Sequence, residues 1–230
     1  MVEAGAGAEL PPEGTVVQAG MQSAGRGQGN TVWVGEPNKN LLFSLLLKPT
    51  FLPPTDQFML NKCIALAIRD ALSLICKQQP FAIKWPNDIY CRGRKIAGTL
   101  IENRIMGKTC ELTVAGIGIN INQSLFPPDI PNATSLKLLT GSDHDIDQCR
   151  REVVRQTDTC YSALKKGNHK KINESYLQHL WGCNKRMKFL INGMVTEAMI
   201  TGTDPHGKLL LTTIGGVTHA CGTKEVAFLF

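Results

Sequence analysis

The sequence predicts an α+β protein, built as a mixed or antiparallel sheet with helices on one side and followed by a small β-barrel at the C-terminal end. Three observations carry that expectation. Residues 56–77 have the apolar period of a helix, residues 81–122 read as short strands separated by turns, and everything after Lys185 is short strand and turn.

Taken in order, residues 1–14 are rich in Gly, Ala and Glu and end in Pro11-Pro12-Glu13-Gly14, a frayed tail. Residues 15–19 form a strand leading into a glycine-rich loop, Gly25-Arg26-Gly27-Gln28-Gly29, and residues 40–48 return as a strongly apolar second strand. In the helix that follows, Met59, Leu60, Cys63, Ala67, Ala71, Leu74 and Ile75 share one broad face, and Thr55, behind Pro53-Pro54, is placed to cap it. The meander then runs through strands 81–85, 89–91, 95–103 and 110–122, with turns at Pro86-Asn87-Asp88, Arg92-Gly93 and Met106-Gly107-Lys108. A proline-rich loop precedes two helical patterns, 146–166 and 172–181. The β-rich end comprises 187–191, the hairpin signal Asn192-Gly193, 195–204, a turn through Pro205-His206-Gly207, 209–214 and 226–230. The domains expected are therefore 1–182 and 183–230.

Composition narrows the class. At roughly 150 residues per domain, 230 residues make one full domain and a small one. With 43% hydrophobic residues and a net charge of +6, the chain can bury a core and is not expected to be disordered. No apolar stretch approaches the roughly 20 residues that a membrane helix needs, so no membrane is expected as a partner. Glu3 and Glu9 among Gly and Ala do not make an export signal. The eight cysteines show no Cys-X-X-Cys pair and no histidine at zinc-site spacing, which reads as reduced thiols in a cytoplasmic protein. No Lys/Arg tract exceeds two residues, so the basic excess suits nucleic acid or an acidic protein equally.

Four segments carry chemistry. Gly25-Arg26-Gly27 follows a strand, where glycines let backbone N–H groups approach a phosphate and Arg26 offers a forked charge; a flexible surface loop fits these residues equally. Lys84-Trp85-Pro86-Asn87-Asp88 sets a cation, an aromatic, an amide and a carboxylate at a strand end, with Pro86 stiffening the turn; the plain alternative is a β-turn whose Asn and Asp satisfy backbone groups. In Arg94-Lys95-Ile96-Ala97-Gly98, Lys95 alternates with Ala97 and Thr99 on one face. It is either a solvent-facing strand start or an ammonium aimed into a cleft, with Gly98 leaving room for a ligand. Gly116-Ile117-Gly118-Ile119-Asn120 repeats the pattern on the next strand, with close strand packing as the alternative reading of its glycines. No arrangement of Ser, Cys or His suggests a covalent nucleophile, and no carboxylate pair argues for hydrolysis.

In this order the four segments resemble the biotin protein ligase family, with Gln22 and Trp33 also at family positions. The resemblance runs from about residue 18 to residue 122 and implies a class II synthetase-like catalytic domain with an SH3-like C-terminal barrel, closed by Lys224-Glu225-Val226. It implies that ATP, with Mg²⁺, activates biotin to biotinyl-5′-adenylate, and that a lysine of a biotin carboxyl carrier domain then takes the biotinyl group. By family position Lys95, Arg26 and Asp88 are catalytic; Gln22, Gly25, Arg26, Lys95 and Gly98 bind biotin; Trp33, Lys84, Asn87, Asp88 and Asn120 bind ATP. Asp88 could equally assist the carrier lysine or serve a metal. Residues 28–32 would close over the adenylate and shield it from water.

The chain departs from the family pattern in three ways. No Ser/Thr-Thr-Asn segment precedes Gln22, so Met1 is either a misplaced start or marks a truncation, and with a truncation a first core strand and part of the biotin pocket are expected to be missing. Gln28 and Thr31 stand where many relatives carry arginines. The length leaves no room for the winged-helix domain of bifunctional members, so neither DNA nor repressor function is expected. Related ligases can dimerise by extending a sheet, which makes a homodimer a candidate assembly. The competing readings are a non-catalytic chain that binds biotin, nucleotide or a carrier domain, and a lipoate or octanoate transferase of the same broad fold.

Overall fold

The computed structural model describes residues 10–27, 29 and 32–229. A central sheet is built from β1 (Val16–Ala19), β2 (Asn40–Leu47), β3 (Phe81–Lys84), β4 (Asp88–Cys91), β5 (Arg94–Met106) and β6 (Thr109–Asn120). Its order is β1-β2-β6-β5-β4-β3, with every neighbouring pair antiparallel. Strands β5 and β6 are the longest because Gly107 closes them into a hairpin, where its φ of +59° suits a residue without a side chain.

Register decides which face carries what. Phe43, Ile117 and Thr99 lie in one row across β2, β6 and β5, and Leu45, Ala115 and Ile101 in the next on the same face. The odd-numbered β2 residues Leu41, Phe43, Leu45 and Leu47 join the main core, where α1 (Phe58–Ile75), α3 (Ile146–Lys165) and α4 (His169–His179) pack. The opposite face presents Ser44, Gly116 and Leu100 in one row and Leu42, Gly118 and Gly98 in another. Helices therefore cover one face and leave a small-residue platform on the other, because a strand turns successive side chains to opposite sides.

Beyond the helices, β7 (Arg186–Ile191), β8 (Met194–Thr203), β9 (Leu209–Thr213), β10 (Thr218–Cys221) and β11 (Val226–Leu229) form a second antiparallel sheet in the order β10-β9-β8-β7-β11. Among the described residues its ladder ends at β10 and β11. Asn192 and Gly193 both have positive φ, as the two-residue hairpin signal requires.

Several local expectations are corrected. Thr55 does not cap α1: residues Pro54–Asp56 form a 3₁₀ turn, the helix starts at Phe58, and its N-cap Gln57 makes no side-chain capping bond. Two proline-fixed residues in succession favour the tighter turn there. The short helix α2 (Leu136–Thr140) and strand β10 lack enough residues to show a period, but α2 is properly capped, with the Ser135 hydroxyl accepting from the Leu138 N–H and Gly141 left-handed at its end.

Lys62 is an unexpected member of the core. It is 5% exposed on α1, donates to Asn173 Oδ1 at 2.6 Å, and lies over the rings of Phe58 and Tyr176 at 5.3 and 5.5 Å. Burial lowers its pKa to about 8, against the pull of Asp204. Between that value and the free value of 10.5 the unfolded chain holds a proton that the folded chain has released. Folding stability on this group's account must then rise with pH across the window. Relative to Lys62→Met, which does not titrate, the wild type should gain up to about 1.4 kcal/mol per pH unit between pH 8 and 10.5 in urea melts. A difference that stays flat with pH would contradict the buried ammonium.

Candidate active site

The small-residue platform is the floor of a cavity of about 520 Å³. Its walls are the loop after β1, the Asn87-Asp88 turn, and Thr223 and Lys224 from the second sheet. Each floor glycine makes room for something different. A Cβ on Gly118 would stand 2.7 Å from the Trp33 ring, and one on Gly25 would strike the Trp33 carbonyl, so these two glycines seat Trp33. A Cβ on Gly98 would lie 3.0 Å from Lys95 Nζ. At Gly116 the nearest atom would be the Leu100 carbonyl oxygen at 3.5 Å, an ordinary contact, so its missing side chain leaves space in the cavity itself.

The loop after β1 is held at its neck. The Trp33 N–H donates to the Gly25 carbonyl at 3.0 Å, and Arg26 and Val32 form an antiparallel bridge. Of the expected lid, Gln28, Asn30 and Thr31 lie outside the described residues, whereas Gly29 and Val32 line the cavity. Arg26 points its guanidinium at Glu102 on β5, 3.3 Å away, with both side chains about half exposed. Glu102 was not singled out from the sequence; its even position on β5, shared with Gly98 and Leu100, is the signal that places it on this face.

Lys95 corrects the simple alternation. A register shift in the β4–β5 ladder pairs Ile89 with Ala97 but Tyr90 with Lys95, leaving Ile96 as the extra, fully buried residue. Such a bulge re-aims the side chain beside it. Lys95 thereby joins Gly98 on the cavity face, away from the buried Ala97 and Thr99, and its Nζ meets Asp88 Oδ2 at 2.7 Å. Its backbone is fixed on the other side: the Lys95 N–H donates to Asn132 O and its carbonyl accepts from Thr134 N–H.

Gln22, Gly25, Arg26, Trp33, Asn87, Asp88, Lys95 and Gly98 thus gather around one cavity, by lining it or, for Gly25, by seating Trp33. Lys84 does not line it. Its ammonium lies over the rings of Tyr90 and Phe228 at 5.0 and 5.2 Å, and burial lowers its pKa, with Lys95 adding to the effect and Asp88 opposing it. Lys84 stands directly opposite Asp88 in the β3–β4 ladder and on the same face, but its ammonium turns to the two rings instead of entering the cavity. Asn120 sits buried behind the cavity, donating to Thr134 O at 3.0 Å, while its Oδ1 is buried without a hydrogen-bond partner among the described residues. The Trp33 indole Nε1 is likewise buried with no partner among the described residues. Unsatisfied buried groups beside a cavity are what a polar ligand is suited to complete.

Electrostatically the cavity holds Arg26, Lys95 and Lys224 against Asp88 and Glu102. Its pre-placed cations suit a reaction between anions. Among the described residues no three His, Cys, Asp or Glu cluster as a metal cage, and both cavity carboxylates are already paired with cations. A hard cation that keeps its own water and rides on a ligand's phosphates, touching one carboxylate at most, is the kind the site could accept.

Comparison with known proteins agrees with the geometry. The bifunctional ligase/repressor BirA of Bacillus subtilis is 33% identical over 90% of this chain, and the chain spans 64% of that relative's length. The biotin–[acetyl-CoA-carboxylase] ligase of Mycobacterium tuberculosis is 25% identical over the whole chain and 84% of its own. Among solved structures, the biotin protein ligase of Aquifex aeolicus in complex with biotin and ATP superposes with a TM-score of 0.79 at 26% identity, covering 96% of this chain and 91% of that one. A family model, Biotin/lipoate A/B protein ligase family, matches residues 3–120, the stretch from the N-terminal segment through every floor strand of the cavity, and the chain belongs to that family.

Proposed function

We propose that this chain activates biotin with ATP to biotinyl-5′-AMP and transfers the biotinyl group to a specific lysine of a biotin carboxyl carrier domain. The observation that carries the reading is the cavity itself. A glycine-floored sheet face brings Lys95 and Arg26 together beside a seated Trp33 and two unsatisfied polar groups. Biotin's thiolane ring and valeryl chain are apolar, which suits the floor at Gly98, Gly116, Leu100 and Val114, while its polar ureido ring needs hydrogen-bonding groups such as Gln22 at the edge. Trp33, Asn87, Asp88 and Asn120 are assigned to the nucleotide, and Lys84, opposite Asp88 but outside the cavity lining, contributes charge to the nucleotide side.

The first step brings a carboxylate against the α-phosphorus of ATP, so two anions must meet. Lys95 and Arg26 offset that repulsion and hold the reacting groups in line. Each starts paired with a carboxylate, Asp88 and Glu102, which keeps the cations in place until a substrate anion competes for them. Mg²⁺ bound to the triphosphate would neutralise its charge, with Asp88 or Glu102 as the protein's available ligand. In the second step the carrier lysine attacks the carbonyl carbon of the mixed anhydride and AMP leaves; Asp88 can accept the amine's proton. Residues 1–182 form the catalytic domain in this proposal, residues 183–230 a small domain whose Thr223 and Lys224 complete the cavity rim, and the protein acts in the cytoplasm, as a monomer or through a sheet-extended homodimer. No helix of the described residues is long and apolar enough to cross a membrane.

Incubating the chain with ATP, Mg²⁺, biotin and a carrier domain, then weighing the carrier by mass spectrometry, tests the proposal. One added biotinyl group is expected, and lipoate in place of biotin should add nothing. An unmodified carrier with biotin would reject the ligase reading, and a lipoylated one would favour the transferase.

A further inference from the structure

The turn that carries Asn87 and Asp88 into the cavity is held from behind, and the groups that hold it are outside the family motifs. On the face away from the cavity, the Tyr176 hydroxyl of α4 donates to the Pro86 carbonyl at 2.7 Å. One residue earlier, the Trp85 indole Nε1 donates to the Gly207 carbonyl at 2.9 Å, reaching the β8–β9 turn of the second sheet. Tyr176 is fully buried and Trp85 nearly so. Phe58 fills the space between, edge-on to Tyr176, with ring centroids 6.2 Å apart. Gly207 sits against the Phe58 ring in a left-handed conformation with φ of +87°, and any Cβ there would overlap the ring. Only glycine therefore lets that carbonyl come within reach of the indole.

Two consecutive residues of the turn are thus anchored to two different bodies, α4 and the second sheet, immediately before the residues that face the ligand. On the other side Asp88 meets Lys95 at 2.7 Å. We propose that Tyr176 is a positioning residue of the active site: through the Pro86 carbonyl, and together with the Trp85–Gly207 bond, it fixes where Asn87 and Asp88 stand relative to Lys95, and so couples the second sheet to adenylate formation. The proposal rests on the ligase reading for its kinetic consequence, though not for the clamp itself.

The informative variant is Tyr176→Phe, which keeps the ring against Phe58 and Lys62 and removes only the hydroxyl. Small displacements of reacting groups cost rate more than binding, so kcat for biotin-dependent pyrophosphate release should fall about ten-fold while KM for biotin and for ATP stays within about two-fold. Hydrogen exchange of the amides at residues 87–89 should accelerate about ten-fold, with β7, β8 and β9 unchanged. Trp85→Phe should shift kcat and exchange in the same direction. Tyr161→Phe is the matched control, because Tyr161 is also a buried tyrosine whose hydroxyl donates at 2.7 Å, but to Glu13, away from the cavity; both readouts should stay at wild-type values. Wild-type kcat with wild-type exchange in Tyr176→Phe would overturn the proposal, as would a loss of protection spread over the whole chain, which marks a general stability effect. If the wild type itself releases no pyrophosphate, the ligase reading falls and the exchange arm alone decides the clamp.

Discussion

Lys95→Ala should reduce biotin-dependent pyrophosphate release by about 10²–10³-fold or more, the range found when one pre-placed charge-stabilising group is removed from an active site. Two effects act in the same direction. The ammonium that faces the developing charge is lost, and Asp88, which it neutralises at 2.7 Å, is left as an unopposed carboxylate where two substrate anions must approach. The fold should survive, because the structural role of residue 95 lies in its backbone, bonded to Asn132 and Thr134 in a bulge that alanine can occupy. The side chain is partly exposed, so the thermal midpoint should barely move. Asp88→Asn in the Lys95→Ala background separates the two effects, since it removes the repulsion without restoring the cation, and should recover only part of the loss. A Lys95→Ala enzyme within ten-fold of wild type would remove Lys95 from the chemistry.

What could be read from the sequence divides along a physical line. Regular elements were legible because they repeat: α1 shows its apolar face over 18 residues, and β2 is an apolar run broken only at Ser44, where its outer face meets the cavity. The Trp85-Pro86-Asn87-Asp88 turn and the Lys95–Gly98 strand were legible because they combine residue types that a plain strand does not need. Three things were not. The bulge at Ile96 depends on pairing with β4, and without it the alternation puts Lys95 on the wrong face. Lys84 shares a motif and a sheet face with Asp88, yet its ammonium turns to Tyr90 and Phe228 instead of the cavity, and the Phe228 contact joins residues more than a hundred positions apart. Thr223 and Lys224 reach the cavity only because the second sheet docks against the first through Gly207 and Trp85. The glycines were ambiguous for a related reason: Gly118 and Gly116 stand two apart on one strand, and only the position of Trp33 shows that one seats a side chain and the other opens the cavity.

That division makes Gly116→Val the most discriminating change in the floor. Its Cβ would meet Leu100 O at 3.5 Å and Leu100 Cβ at 3.9 Å, neither of which forces a shift, and a β-branched residue in the middle of β6 suits a strand. Stability should therefore hold or rise slightly in a thermal melt. The added methyl groups, however, can go only into the space above the floor, between Ser44 and Leu100. A ligand that fills that space must be displaced or distorted, at the roughly 1–3 kcal/mol that overpacking costs, so biotin affinity measured by calorimetry should fall about ten- to a hundred-fold. Gly116→Ala should fall between valine and wild type. Gly118→Ala behaves differently, because its Cβ would stand 2.7 Å from the Trp33 ring and must push the indole off its seat; it should weaken ATP more than biotin. Gly116→Val with wild-type biotin affinity would mean that biotin does not lie on this floor, and equal losses for both ligands in both variants would mean that the two glycines share one role.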